Sequence, residues 1–216
     1  MLNIILMGPP GAGKGTHAKW MESDLKIPHI STGDMFREAM ASGSELGNKV
    51  KEVINRGDLV SDELTCALVK ERLSRKDCEN GYLLDGFPRT LAQAEALKVM
   101  GKEIGREPNL AINISCPDEV LITRVCTRRV CPKCGASFNV VTMKPQKDGI
   151  CDYCGAELIQ RKDDNEESFK VRLENYYKST APLLDYYQNE GLLKDFDGTL
   201  GASRLKKELQ EFLASK

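Results

Sequence analysis

Leu2-Asn3-Ile4-Ile5-Leu6-Met7 runs directly into Gly8-Pro9-Pro10-Gly11-Ala12-Gly13-Lys14-Gly15-Thr16. The first six residues form a short apolar run, the pattern of a strand buried on both faces. The next nine match G-x-x-x-x-G-K and lead into a helical pattern. Strand, glycine-rich loop and helix in that order is the setting in which such a loop holds phosphate. Its glycines allow backbone shapes closed to other residues, so successive amides can turn inward around oxygen atoms. The helix amino terminus adds the positive end of its dipole, and Lys14 supplies a mobile point charge. The general motif has Ser or Thr straight after the lysine, to hold magnesium. Here Gly15 intervenes before Thr16, a variant that points to a subgroup of phosphate-loop proteins. An ordinary glycine-rich turn is the plainer reading, and the lysine in that setting argues against it.

Working outward, further short apolar runs fall at residues 27–30, 82–84, 110–115 and 192–196, with amphipathic stretches between them. In the last stretch, Leu205, Leu209, Phe212 and Leu213 share one helical face. Strands alternating with helices predict a parallel sheet covered on both sides. The expected fold is therefore a phosphate-loop three-layer α/β/α core with a five-stranded parallel sheet. Residues 129–160 break the pattern with Pro, Gly, paired Cys and β-like pieces such as 137–142, and read as a small β-rich insertion. A helix is expected to resume after it, with Asp164 as its N-cap and Glu167 completing a capping box. No repeat of solenoid length is present.

The 216 residues suit one domain carrying an insertion. The 31 basic and 32 acidic residues nearly cancel, which speaks against general nucleic-acid binding or a polybasic membrane anchor. The amino terminus lacks a basic lead and a long apolar segment, and no run reaches membrane-spanning length. A cytoplasmic location is expected. There the eight cysteines read as free thiols, metal ligands or catalytic groups, while two histidines leave little room for His-based acid–base chemistry.

Cys131-Pro132-Lys133-Cys134 and Cys151-Asp152-Tyr153-Cys154 form C-x2-C-x16-C-x2-C, each pair followed by glycine. This is the spacing of two zinc-ribbon knuckles, a local duplication that closes a tetrahedron of thiolates. Four protein ligands leave no open position, so the metal is expected to be structural zinc, with iron as the minor alternative. Two disulfides or free thiols are the plainer alternative. Metal binding can supply folding energy that so small an insertion lacks. Cys66, Cys78, Cys116 and Cys126 show no pairing pattern and read as buried or half-buried thiols. His17 and His29 read as structural.

Beyond the loop, the chain carries Ser31-Thr32-Gly33-Asp34-Met35-Phe36-Arg37, Asp85-Gly86-Phe87-Pro88-Arg89-Thr90, Gln93 and Arg161-Lys162-Asp163-Asp164. With these marks the chain resembles, over essentially its whole length, the adenylate kinases among the nucleoside monophosphate kinases. The likeness is to the long bacterial form with a zinc-bearing lid. The resemblance implies reversible transfer of the terminal phosphoryl group of ATP to AMP, giving two ADP. It implies a core (residues 1–30, 61–124 and 162–216), an AMP-binding excursion (31–60) and a lid (125–161). A monomer is expected, with no nucleic-acid or membrane partner.

Two nucleotides meeting phosphate to phosphate demand fixed cations. Lys14, Arg37, Arg89, Arg124, Arg128, Arg161 and Arg172 occupy matched positions. Arg124 and Arg128 are spaced to share the face of a helix begun by Pro117. Arg129, outside a matched segment, reads as lid surface. By the resemblance, Gly11, Ala12, Gly13, Lys14, Gly15, Thr16 and Arg128 hold ATP phosphates. Backbone near Ser137, Phe138 and Leu200 contacts the donor base. Arg37, Arg89, Arg161 and Arg172 face AMP or bridge the reacting phosphates. Thr32, Gln93 and backbone at Asp58, Leu59 and Val60 lie beside the AMP base, with Gly86, Phe87 and Pro88 nearby. A Gln amide offers both donor and acceptor, which suits the N1 and N6 edge of adenine. Asp85 is expected to hold Mg2+ through water, and Asp34, Asp163 and Asp164 are weaker candidates for the same neighbourhood. No general base is needed, because the nucleophile is a phosphate oxygen whose second pKa is about 6. A lid with seven basic and three acidic residues between positions 128 and 162 suits closure over a polyanion. The alternatives are a kinase of the same fold with another monophosphate acceptor or GTP as donor, and, in a different class, a non-enzymatic zinc-ribbon module.

Overall fold

The computed structural model describes the backbone of residues 1–216 and every side chain but that of Leu46. Its strands are β1 (Leu2–Met7), β2 (His29–Ser31), β3 (Gly81–Asp85), β4 (Leu110–Ser115), β5 (Arg128–Val130), β6 (Ser137–Asn139) and β7 (Leu193–Asp197). Its helices are α1 (Lys14–Leu25), α2 (Thr32–Ala41), α3 (Glu45–Arg56), α4 (Asp62–Leu73), α5 (Leu91–Ile104), α6 (Asp118–Cys126), α7 (Glu166–Asn175), α8 (Pro182–Asn189) and α9 (Ala202–Leu213).

Five strands make one parallel sheet in the order β2-β3-β1-β4-β7. Alternation along each strand sends side chains to opposite faces. Ile4 and Leu6, with Leu83, Ile112 and Ile114, pack against α1, α6, α7 and α9 through Met21, Leu121, Phe169 and Leu209. Ile5 and Met7, with Tyr82, Leu84 and Ala111, meet α4, α5 and α8 through Leu73, Leu97 and Leu183. The continuous apolar run at residues 2–7 is thus explained: both faces of β1 are core. No helix is long and apolar enough to cross a membrane.

Three expectations need correction. β2 begins at His29 rather than residue 27, because Pro28 has no N–H for the ladder and offers only its carbonyl, which accepts from Leu83 N at 3.0 Å. The helix after the insertion is capped by Asn165, whose side chain accepts from Ser168 N at 2.9 Å. Asp164 is fully buried and turned to arginines instead. Finally, α6 has Pro117 as its N-cap and ends at Cys126, so Arg128 lies on β5 and shares no helix face with Arg124.

The insertion is a miniature of its own. β5 pairs antiparallel with β6, and isolated bridges join Val130 to Ile159 and Ile150 to Glu157. Its buried core is Cys131, Ala136, Phe138, Cys151 and Leu158. The two cysteine knuckles repeat the same turn. Gly135 N donates to Cys131 O and Gly155 N to Cys151 O, each at 2.9 Å, with both glycines at positive φ.

Gly81 opens β3 at φ +126, where a Cβ would sit 2.2 Å from the carbonyl oxygen of Leu2. Gly81→Ala joins backbone strain to a clash with the neighbouring strand, each costing about 1–3 kcal/mol. The melting temperature is expected to fall by roughly 5–15 °C, with turnover per folded molecule unchanged because the site is at the far end of the strand. Thermal melts and an activity assay on one preparation check both parts, and an unaltered melt would refute the strain.

Candidate active site

The carboxyl ends of β1, β2 and β3 open through Met7, Ser31 and Asp85 onto a cleft of about 890 Å3, the end at which open parallel sheets present ligands. The loop between β1 and α1 forms its floor. Gly8, Gly11 and Gly13 take φ of +129, +88 and +105. At Gly8 a Cβ would lie 2.4 Å from Ile114 O, so the glycine lets the loop turn tightly against β4. Lys14 curls back over this loop and donates from Nζ to Gly8 O at 2.7 Å and Pro9 O at 3.0 Å. Burial, and then the nearby Arg89, Arg172 and Arg128, pull its ammonium down to about 8 against the pull of Asp85. Burial pushes the Asp85 carboxyl up, but His29 and Lys14 outweigh it and keep the group below the usual carboxylate range.

Lys14, Arg37, Arg89, Arg124, Arg128, Arg161 and Arg172 all line this cleft. They come from α1, α2, the β3–α5 loop, α6, β5, the segment before α7, and α7. Carboxylates orient most of them. Asp34 accepts from Arg37 at 2.7 Å and from Arg161 at 3.1 Å. Asp163 accepts from Arg172 at 3.1 Å, and Asp164 pairs with Arg128 through two bonds, that from Nε at 2.8 Å. Arg89 instead donates from Nε to Gly86 O at 2.8 Å, and Arg124 to Gly198 O at 2.9 Å. Burial and the crowding of neighbouring guanidiniums bring Arg161 and Arg172 down to about 10. Cations so close that they depress one another mark a site shaped for several negative charges.

One flank carries the groups expected beside a base. Thr32 donates from Oγ1 to Gly86 O at 2.8 Å, and Gln93 is 2% exposed at the cleft wall. Asp58, Leu59 and Val60 line the same wall, while the Asp58 carboxylate accepts from Arg56 at 3.1 Å. Pro88 reaches the cleft, but Phe87 does not. Its ring is 1% exposed and belongs to the core beneath, so only its backbone is near the site. On the opposite flank Ser137 and Phe138 line the cleft. Leu200 does not. The wall there is Gly198, Thr199, Gly201 and Ala202.

At the tip of the insertion, the sulfurs of Cys131, Cys134, Cys151 and Cys154 all lie within 4.8 Å of one another. Cys131 and Cys154 are 3.4 Å apart and Cys134 and Cys151 3.5 Å. These separations are far beyond a disulfide bond of about 2.05 Å, and they fit four thiolates around one ion at about 2.3 Å each. The family model for adenylate kinase matches residues 6–192, which takes in the loop, the arginines and the cysteine cluster together.

The chain belongs to the adenylate kinase family.

Full-length relatives agree. The chain is 50% identical over 212 residues to the adenylate kinase of Archaeoglobus fulgidus, covering 98% of each chain. It is 53% identical over 192 residues to that of Caldicellulosiruptor bescii, 89% of each. It is 47% identical over 215 residues to that of Bacillus licheniformis, covering 100% of this chain and 99% of the relative.

One group at this adenylate kinase site, His29, is not evident from the sequence, whereas His17 has the structural place expected of it. Both histidines were expected to be structural, yet His29 Nε2 lies 3.5 Å from Asp85 Oδ2 and faces the cleft. Only the register of β2 on β3, which sets Ser31 beside Asp85, brings them together. His17 is buried, with Nδ1 accepting from Trp20 Nε1 at 3.1 Å. Burial, then Arg124 and Lys206, push its imidazole down to about 4.

His17 makes the fold sensitive to acid. Below pH 6.5 the unfolded chain takes up a proton there, and the folded chain does not until about pH 4. Stability is therefore lost as pH falls through that window, by an amount on the order of 3 kcal/mol. His17→Asn keeps an acceptor for Trp20 without the titration. Its melting temperature is expected to fall less between pH 7 and pH 4.5, and parallel curves for the two proteins would contradict this.

Proposed function

We infer that the cleft holds ATP over the loop at residues 8–16 and AMP against Thr32 and Gln93, phosphate facing phosphate. In that arrangement the chain, an adenylate kinase, transfers the terminal phosphoryl group of ATP to AMP and returns two ADP. The observation that carries the reading is the convergence of the Lys14 ammonium and the six matched guanidiniums on one cleft.

Gly11, Ala12, Gly13, Lys14, Gly15, Thr16 and Arg128 hold the donor phosphates. Arg37 and Arg89 hold the acceptor phosphate. Arg124, Arg161 and Arg172 neutralise the charge that spreads over the transferring group. The acceptor oxygen arrives ionised, so no residue need remove a proton, and the protein contributes positioning and electrostatics. Residues 31–60 form the acceptor clamp and 125–161 the lid that excludes water. Lys19, donating to Cys134 O at 2.9 Å, ties α1 to the tip of that lid.

The four cysteines would hold a structural zinc ion. Asp85, kept ionised by His29 and Lys14, would hold Mg2+ through water beside Thr16. Entering with ATP, Mg2+ would supply neutralisation of the phosphate charge. The reading includes a cytoplasmic monomer acting on ATP, AMP and ADP without a nucleic-acid or membrane partner.

A coupled assay offering AMP, GMP, CMP and UMP, each with ATP and with GTP, tests it. ADP formation is expected to be fastest with ATP and AMP. A clear preference for UMP or CMP would overturn the assignment of the acceptor site.

A further inference from the structure

A glutamine amide presents N–H at one end and oxygen at the other, and turning it end for end reverses what it reads. Adenine offers an acceptor at N1 and a donor at N6. A 6-oxopurine offers a donor at N1 and an acceptor at O6. Whatever fixes the amide of Gln93 therefore fixes which purine fits.

Two partners fix it. Gln93 Nε2 donates to Asp62 Oδ1 at 2.7 Å, and Gln93 Oε1 accepts from the Arg89 backbone N–H at 2.7 Å. Asp62 is itself steadied, because its Oδ2 accepts from Thr90 Oγ1 at 3.0 Å. Thr90 Oγ1 in turn accepts from Gln93 N at 3.2 Å as the N-cap of α5. An ionised carboxylate only accepts and a backbone amide only donates. Turning Gln93 would set oxygen against oxygen and N–H against N–H, in a buried place where unmade hydrogen bonds are costly. The held orientation leaves one N–H and one oxygen lone pair of Gln93 for the base.

We propose that Asp62, at the start of α4, determines acceptor specificity by holding the Gln93 amide in the orientation that takes a 6-aminopurine monophosphate and rejects a 6-oxopurine. Asp62 lies outside the cleft lining and acts through Gln93, so it is a positioning residue. The proposal rests on the reading of Gln93 as the contact to the acceptor base.

The experiment compares kcat/KM for AMP and for inosine monophosphate, with ATP saturating, in Asp62→Leu, Asp62→Asn and Gln93→Leu. Asp62→Leu removes the acceptor, and its preference for AMP is expected to fall at least about tenfold, the loss of roughly one hydrogen bond. The fall is expected to come mainly through the KM for AMP, with the KM for ATP unchanged. Asp62→Asn loses the same charge but keeps an acceptor oxygen, and is expected to stay within about threefold of the parent. The preference is a ratio measured on one preparation, so partial unfolding of a variant does not move it. An unchanged preference in Asp62→Leu overturns the proposal. An equal fall in both Asp62 variants also overturns it, by assigning the effect to charge. If Gln93→Leu keeps the parent's KM for AMP, it is the underlying reading of Gln93 that fails.

Discussion

Lys14→Met is expected to lower kcat by about a thousandfold while leaving the folded protein at least as heat-stable at pH 7. The activity loss follows from removing the one ammonium at the loop proposed to hold the donor phosphates. Single preorganised charge-stabilising groups of this kind contribute about 10²–10³ in rate, and more where transferring phosphoryl charge is involved. The stability result follows from the depressed pKa. The folded chain holds Lys14 charged against burial and three neighbouring guanidiniums, which brings its pKa to about 8 from 10.5. In that window the unfolded chain binds more protons, so stability contributed by this position rises with pH from about 8 to 10.5. At pH 7 the charge is a burden on the fold, and methionine removes it. The gap in melting temperature between variant and parent is expected to close above pH 10. Undiminished phosphotransfer would remove Lys14 from the reaction. A collapsed melting temperature would mean that its bonds to Gly8 O and Pro9 O are what hold the loop.

The remaining cations obey a different logic, and it explains what was legible beforehand. The loop, the strands and the cysteine knuckles are local patterns in which each residue's neighbours in sequence are its neighbours in space. β1 and β4 accordingly match the apolar runs at residues 2–7 and 110–115, and both cysteine pairs close on one point. Arg37 finds its carboxylate three residues away in Asp34, but the partners of Arg161 and Arg128 are not local. Asp34 and Arg161 are 127 positions apart and Asp164 and Arg128 are 36 apart. Asp164 shows the difficulty well. In sequence it carries every mark of an N-cap, with acidic residues following. In space the arginines on β5 and α7 compete for its carboxylate, and the next residue, Asn165, takes the capping role. The pairing of Gln93 with Asp62, 31 residues apart, joins the starts of two helices and leaves no periodic trace.

Removing the metal proposed for the four-cysteine cluster is expected to lower the melting temperature by roughly 10 °C and to slow turnover without abolishing it. The insertion's own apolar cluster, apart from the cysteines, is Ala136, Phe138 and Leu158, with Val130 also buried. Each such side chain stabilises by about 1.5–3 kcal/mol at most, while ordering a residue costs roughly 1–2 kcal/mol of backbone entropy. A segment of this length with so few apolar anchors therefore does not hold itself. An ion bound by four thiolates only in the folded lid adds its binding free energy to folding, and about 4 kcal/mol of such linkage in a chain of this size shifts the midpoint by roughly 8–16 °C. The sheet and its two cores are built without the lid, so the loss is expected to be local. Hydrogen exchange should rise across residues 128–160 while β1, β3 and β4 stay protected. Turnover is expected to fall because the insertion carries Arg128, Ser137 and Phe138 at the cleft and is proposed to shield it from water, whereas Lys14 and Arg89 stay on the core. The test compares protein stripped with a chelator, the same protein refilled with zinc, and a Cys131→Ser variant, by thermal melts, metal content and exchange. Recovery on refilling, with the variant resembling the stripped protein, is the expected result. Equal melting temperatures for stripped and refilled protein would show that the lid's small apolar core suffices, and the structural role of the metal would be lost.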